Sequence, residues 1–172
     1  MDPDAYLCHL ADIFNGITVN QPSFSAIVAI ILAGVLLLAS GFASASEIAF
    51  FSLSPSDLNE IESRNHPSDE KISSLLGNSE SLLATVLITN NFVNVTIIML
   101  CNFFFMNVFI FHSPVAEFLI LTVILTFLLL LFGEIMPKIY SAQKTLAFCR
   151  FAAPGIYLLR KVFRPISAVL VR

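Results

Sequence analysis

Three stretches of this chain run without a charged residue, and each forms the heart of an expected membrane helix. Phe24 to Ser46 gives 23 such positions before Glu47. At 1.5 Å per residue a helix over them is roughly 35 Å long, enough for a hydrocarbon core of about 30 Å. The second run, Ser81 to Ser113, exceeds one span and has Thr85, Thr89, Asn90, Asn91 and Asn94 in its first third. The third, Phe118 to Phe132, lies between Glu117 and Glu134. Pro114 fits the first turn of its helix, where a missing N–H costs nothing. The pattern predicts an all-α membrane protein with spans over about 24–47, 81–111 and 115–134. The turn Phe111-His112-Ser113-Pro114 is so short that the last two spans form an antiparallel hairpin.

The segments between the spans are patterned as well. In the 48–80 loop, Ser54-Pro55-Ser56-Asp57 reads as an N-cap, a proline at the first helical position and a first-turn acid, opening a short helix over 55–64. A turn follows at Asn65-His66-Pro67, and Asn78 or Ser79 caps the second span, with Glu80 well placed against the helix dipole. From 138 to 172 basic residues recur among apolar ones, Arg150 among them. A fourth span there would put Arg150 near the bilayer centre at about 2.5–3.5 kcal/mol. Pro154-Gly155 would also break such a span, and two amphipathic helices along the membrane surface fit better as a juxtamembrane belt.

Composition agrees with this division. Hydrophobic residues make up 57% of the 172 positions, charged residues only 12%, and the mean hydropathy is +0.86. About 25% charge is usual in soluble domains, and disordered chains are poor in apolar residues, so both classes are excluded. A net charge of −3 and a pI near 5.5 argue against a nucleic-acid partner. Cys8, Cys101 and Cys149 have neither disulfide-framework nor zinc spacing. The first 23 residues hold Asp2, Asp4 and Asp12 but no basic residue, so they lack the n-region of a secretory signal.

Charge placement predicts the topology. Arg64 and Lys71 lie between the first two spans, and the other seven basic residues come at or after Lys138. By the positive-inside rule the 1–23 segment is extracytoplasmic, the 48–80 loop cytoplasmic, and the C-terminal belt cytoplasmic at the cell (inner or plasma) membrane. An odd number of spans requires the same.

Inside the spans the polar residues fall into sets. Ser40, Ser44 and Glu47 are spaced i, i+4, i+7 on one helical face, and Asn90 and Asn94 are i, i+4. The third span ends in Gly133-Glu134-Ile135-Met136-Pro137-Lys138. Pro137 removes the N–H that would bond the carbonyl four residues back, which is Gly133, beside the Glu134 carboxylate. Two hydroxyls, two amide oxygens, a bare carbonyl and one carboxylate are hard donors, suited to Mg²⁺, Ca²⁺ or Na⁺ rather than zinc or copper. Each set also has a plain structural reading. Small residues permit close helix packing, Asn90 and Asn94 glue helices together, Glu47 snorkels, and Glu134 sits at the interface beside Lys138. Enzymatic chemistry is not expected: His9, His66 and His112 all fall outside the spans, and no phosphate loop occurs.

Three motifs carry a resemblance. Ser40-Gly41-Phe42-Ala43-Ser44-Ala45-Ser46-Glu47-Ile48-Ala49-Phe50-Phe51-Ser52-Leu53, Thr89-Asn90-Asn91-Phe92-Val93-Asn94 and Gly133-Glu134-Ile135-Met136-Pro137-Lys138 together resemble the CorC / cyclin-M (CNNM) magnesium transporter family, in its order and spacing. The resemblance covers residues 25 to 172. It implies a homodimeric three-span domain with a helical belt and Na⁺-dependent Mg²⁺ export, the ion lying dehydrated between the spans. It also implies side-chain ligands at Ser40, Ser44, Asn90 and Glu134, with the Gly133 carbonyl. Asn94 is then a second-shell or alternate ligand, Glu47 a Na⁺-side or structural residue, and Pro137 and Lys138 structural. Thr89 stands where the family usually has glycine, a departure that narrows the approach to Asn90. CBS nucleotide-binding modules usually follow the belt in the family and are expected to lie outside this chain. Some relatives are labelled otherwise than as transporters, so a non-transporting anchor or assembly subunit is the alternative.

Overall fold

The computed structural model describes residues 18–63, 66–110 and 114–170. The sequence features at Cys8, His9, Arg64, Asn65 and His112, and the turn at 111–113, lie outside the described residues. Three helices are long and apolar enough to cross a membrane. They are α1 (Phe24–Phe51), α4 (Ser79–Val108) and a third, composite helix. That third span starts as α5 (Pro114–Leu128), passes through a π-helical segment (Leu129–Ile135) and continues as α6 (Met136–Gln143). α2 (Pro55–Glu62) and α3 (Asp69–Leu76) form the connection between α1 and α4, and α7 (Thr145–Leu170) closes the chain.

The helix starts follow the local chemistry. The Ser23 hydroxyl accepts from the Ala26 N–H, and Asn78 Oδ1 accepts from the Ser81 N–H, so Asn78 rather than Ser79 caps α4. At α2 the cap is reciprocal: the Asp57 N–H donates to Ser54 Oγ at 3.2 Å, and the Ser54 N–H donates to Asp57 Oδ2 at 2.9 Å. The Ser54 hydroxyl, donating to Asp57 Oδ2 at 2.6 Å, and then the Ser54 N–H hold the Asp57 carboxyl below its ordinary pKa.

α1 is the central element, packed against α4, the π segment, α6 and α7. Its belt-distal half buries only an alanine stripe, Ala26, Ala29 and Ala33, while its belt-proximal half buries nearly a continuous run from Ser40 to Ser46. Two cores result. One at membrane depth joins Ala33 to Val93, Ile97, Cys101 and Leu125. The other, at the belt, joins Ala43, Ala49 and Phe50 to Ile61, Ile72, Leu75, Leu82 and Ile156.

Three features depart from the sequence expectations. A short antiparallel ribbon pairs β1 (Thr18–Val19) with β2 (Phe109–Ile110) at the belt-distal end, a small addition to an otherwise helical fold. The third span does not stop at Glu134 but runs on to Gln143. The belt is broken at Lys144 and not at Pro154-Gly155, through which α7 passes unbroken. A proline inside a helix costs about 3 kcal/mol. Here it is offset by complete burial of Cys149, Ala152, Ala153 and Ile156, the isoleucine alone worth about 1.5–3 kcal/mol. Gly155 serves packing: a Cβ there would sit 3.0 Å from Phe42 Cζ. Burial also pushes the Cys149 thiol up to about 12, with the Asp57 charge adding to the effect, so this cysteine is an inert packing residue.

Candidate functional site

The polar sets of the three spans meet around Ser40. Its hydroxyl lies 2.8 Å from Asn90 Oδ1 and 2.7 Å from Asn94 Oδ1. Asn94 turns its amide N–H₂ the other way, donating to Glu134 Oε1 at 3.4 Å. The α1 hydroxyl, two α4 amides and the carboxylate of the third span thus form one chain of contacts. Ser40 is fully buried.

That cluster holds more acceptors than protons. A serine hydroxyl has one hydrogen, and here two amide oxygens compete for it. One turn along the same face of α1, Ser44 Oγ is buried, and no hydrogen-bond partner reaches it among the described residues. An unsatisfied buried hydroxyl costs about 1–3 kcal/mol. Three close oxygens sharing one proton, an orphaned hydroxyl and a carboxylate are what a hard cation would satisfy. No cluster of three or more His, Cys, Asp or Glu side chains occurs among the described residues, so the donor set stays hydroxyl and amide with a single carboxylate.

The backbone of the third span is irregular at this depth. The Met136 N–H bonds the Leu131 carbonyl, five residues back, and Pro137 has no N–H to give. In an ideal α-helix Pro137 would free only the Gly133 carbonyl from its donor. In the π register the Phe132 carbonyl also loses both its donors, Met136 and Pro137. No local signal in the sequence announces that second carbonyl. Two glycines let the segment close on α1. A Cβ on Gly41 would meet Pro137 Cγ at 3.0 Å and the Phe132 oxygen at 3.3 Å, and one on Gly133 would meet Ser40 Oγ at 3.3 Å. Pro137 therefore packs into the notch at Gly41.

The remaining motif residues are placed apart. Lys138 Nζ pairs with Glu47 Oε2 at 3.2 Å, each side chain about one-third exposed, tying α6 to the end of α1. Glu47 is thus engaged in an ion pair, and the partner of Lys138 is Glu47 rather than Glu134. Thr89 turns its hydroxyl back to the Thr85 carbonyl at 2.7 Å. Asn91 is exposed and bonds the Leu87 carbonyl. Ser46 bonds the Phe42 carbonyl. None of these three donates into the cluster.

The family model described as the cyclin M transmembrane N-terminal domain, CNNM, matches residues 31–172. The chain belongs to the CNNM family. It is also 29% identical over 132 residues to a "UPF0053 protein" of Haemophilus influenzae (strain ATCC 51907 / DSM 11121 / KW20 / Rd). That alignment covers 77% of this chain and 30% of the relative, so the chain spans about a third of the relative's length. This CNNM domain is a multi-pass membrane domain, and the matched region contains all three spans' polar sets.

A second polar constellation had no sequence signal because its members are far apart. Asp69, on α3 and fully buried, receives Arg150 Nε at 2.9 Å on Oδ1 and Arg150 Nη2 at 3.1 Å on Oδ2. The His66 backbone N–H adds a bond to Oδ2 at 3.0 Å, and Arg150 Nη1 reaches Glu60 at 2.9 Å. The Arg150 fork holds the Asp69 carboxyl below the usual carboxylate range against the opposing effect of burial. Arg150, whose charge argued against a fourth span, is thus the clamp between the belt and the α2–α3 connection.

Proposed function

We propose that this domain carries Mg²⁺ across the membrane by alternating access, binding the ion between the spans through Ser40, Ser44, Asn90, Glu134 and the Gly133 carbonyl, with Asn94 holding Glu134 in place. The reading includes a homodimer in the cell membrane, the N-terminal segment outside and the belt on the cytoplasmic lipid surface. It also includes export driven by Na⁺ and no enzymatic step. The observation that carries it is the oxygen cluster at Ser40, where two amide oxygens compete for one proton beside the unpartnered Ser44. A cation supplies what that cluster lacks, and one carboxylate among neutral donors gives moderate affinity, which favours release.

The π segment supports the same reading, since irregular backbone at membrane depth is tolerated where it lines a cavity or is buried in protein. In proteoliposomes the Glu134→Ala variant is expected to lose Mg²⁺ flux while still folding. Full flux in that variant overturns the site. A non-transporting anchor would instead show lower yield or stability in Asn90→Ala and Glu134→Ala with no Mg²⁺-specific change.

A further inference from the structure

Away from the belt, α4 and α5 separate around a groove of about 380 Å³. It lies in line with the candidate site along α4. The α4 row Asn90, Asn94, Ile98, Asn102 advances by four residues, and the third span runs antiparallel to it. Asn94 meets Glu134 at 3.4 Å. Eight residues further from the belt on each helix, about 12 Å along the axis, stand Asn102 and Thr126, both lining the groove. Thr122 follows one turn beyond, and Glu117 lies at the far end. Between groove and cluster lie Ile98 on α4 and residues 127–133 of the third span, beside the packed core of Val93, Ile97 and Leu129.

The groove's polar side chains differ from others on the same helices. Asn91 and Asn107 are exposed and Thr96 is half-buried, and each donates to the carbonyl four residues back on α4, at 2.8–2.9 Å. That is how a polar side chain is accommodated against lipid. Asn102, Thr122, Thr126 and Glu117 make no hydrogen bond or ion pair among the described residues, although the first three are exposed at membrane depth. No Lys or Arg occurs between Lys71 and Lys138 to neutralise Glu117. Four unpartnered polar groups line one groove, Asn102 on α4 and the other three on α5; they favour an aqueous occupant, and the lone carboxylate favours a cationic one.

We propose that this groove is the belt-distal vestibule of the transport path. A hydrated hard cation of the Mg²⁺ class enters or leaves there, drawn by Glu117 and held through its water shell by the Asn102 amide and the Thr122 and Thr126 hydroxyls. Mg²⁺ dehydrates reluctantly, so a site for the intact hydrate is a natural antechamber to one made of bare oxygens. The proposal rests on the transport reading given above.

Asn102→Cys, Thr126→Cys and, as a control on the outer face of α5, Val123→Cys test it in a background lacking Cys8, Cys101 and Cys149. Membrane-impermeant cationic and anionic thiol reagents are applied to proteoliposomes from the belt-distal side. The expected result is labelling at 102 and 126 but not at 123, about tenfold faster with the cationic reagent, the preference vanishing with Glu117→Gln. No labelling in the groove, equal rates for the two reagents, or a disulfide between two copies at position 102 would each overturn it. The last would make the groove a contact between copies. Should the cysteine variants misfold, Asn102→Leu with Glu117→Gln offers a second arm. The Mg²⁺ concentration for half-maximal flux is expected to rise about fivefold, and an unchanged value overturns the vestibule. Failure of the transport reading is distinct, appearing as wild-type vesicles without Mg²⁺ flux.

Discussion

The Arg150 clamp and the Ser40 cluster are both polar networks set among apolar helices, yet their hydrogen-bond accounts differ. In the clamp three guanidinium nitrogens find carboxylate oxygens, and the fully buried Asp69 takes a further backbone N–H. At Ser40 one proton serves two amide oxygens, and Ser44 is left over. A saturated network fixes two elements relative to each other and gains nothing from a ligand. An under-satisfied one has affinity in reserve. On the proposed reading, the difference separates the part of the domain that holds shape from the part that binds an ion.

The largest expected effect is at the clamp. Arg150→Ala leaves Asp69 buried without its partner and is expected to destabilise the domain by about 3–5 kcal/mol, read as a lower melting temperature in detergent. Arg150→Lys recovers little of this, because an ammonium cannot reproduce the fork. Neither change abolishes Mg²⁺-dependent protection of the molecules that remain folded. The same pair sets an acid limit. The folded Asp69 carboxyl has a lowered pKa, so its contribution is fully present above its unfolded pKa and is lost as pH falls through the folded value. Wild type and Asp69→Asn should differ in melting temperature by a constant amount above about pH 5 and converge below about pH 4. A gap that persists unchanged into acid contradicts the assignment.

Smaller effects sharpen the other side. Gly133→Ala places a Cβ 3.3 Å from Ser40 Oγ and is expected to cost about 1–3 kcal/mol while weakening Mg²⁺ protection. Ser44→Ala should do something a structural serine would not. Removing an unsatisfied hydroxyl is expected to leave the ion-free domain equally stable or more stable by about 1 kcal/mol, while Mg²⁺ protection weakens. Ser46→Ala, which loses only a bond to the Phe42 carbonyl, should be near neutral in both. If Ser44→Ala lowers ion-free stability, Ser44 is a structural hydroxyl and the contrast with the clamp weakens.

Much of this organisation was legible before any coordinates. Charge-free runs delimited the spans because a bilayer leaves little latitude in length and polarity. The start of α2 followed from Ser54, Pro55 and Asp57 because capping is local. The convergence of Ser40, Asn94 and Glu134 was open to periodicity, since i, i+4 pairs on three helices must face somewhere and polar groups avoid lipid. What escaped notice depended on contacts between distant residues. Asp69 and Arg150 are 81 positions apart. The π segment and Pro137 lie close against Gly41, a fit between two helices. Pro154-Gly155 reads locally as a break, but burial of α7 against Phe42 and its neighbours outweighs the lost backbone bond.

On the proposed reading, the Ser40 cluster owes its unsatisfied oxygens to an ion. Melting curves of purified wild type and Glu134→Ala over a Mg²⁺ series, with K⁺ as the control, test it most directly. Wild type should gain up to about 2.7 kcal/mol at a hundredfold excess over its dissociation constant, with no gain from K⁺, and Glu134→Ala should lose most of that gain. A wild type indifferent to Mg²⁺, or a variant protected as fully as wild type, would contradict the account.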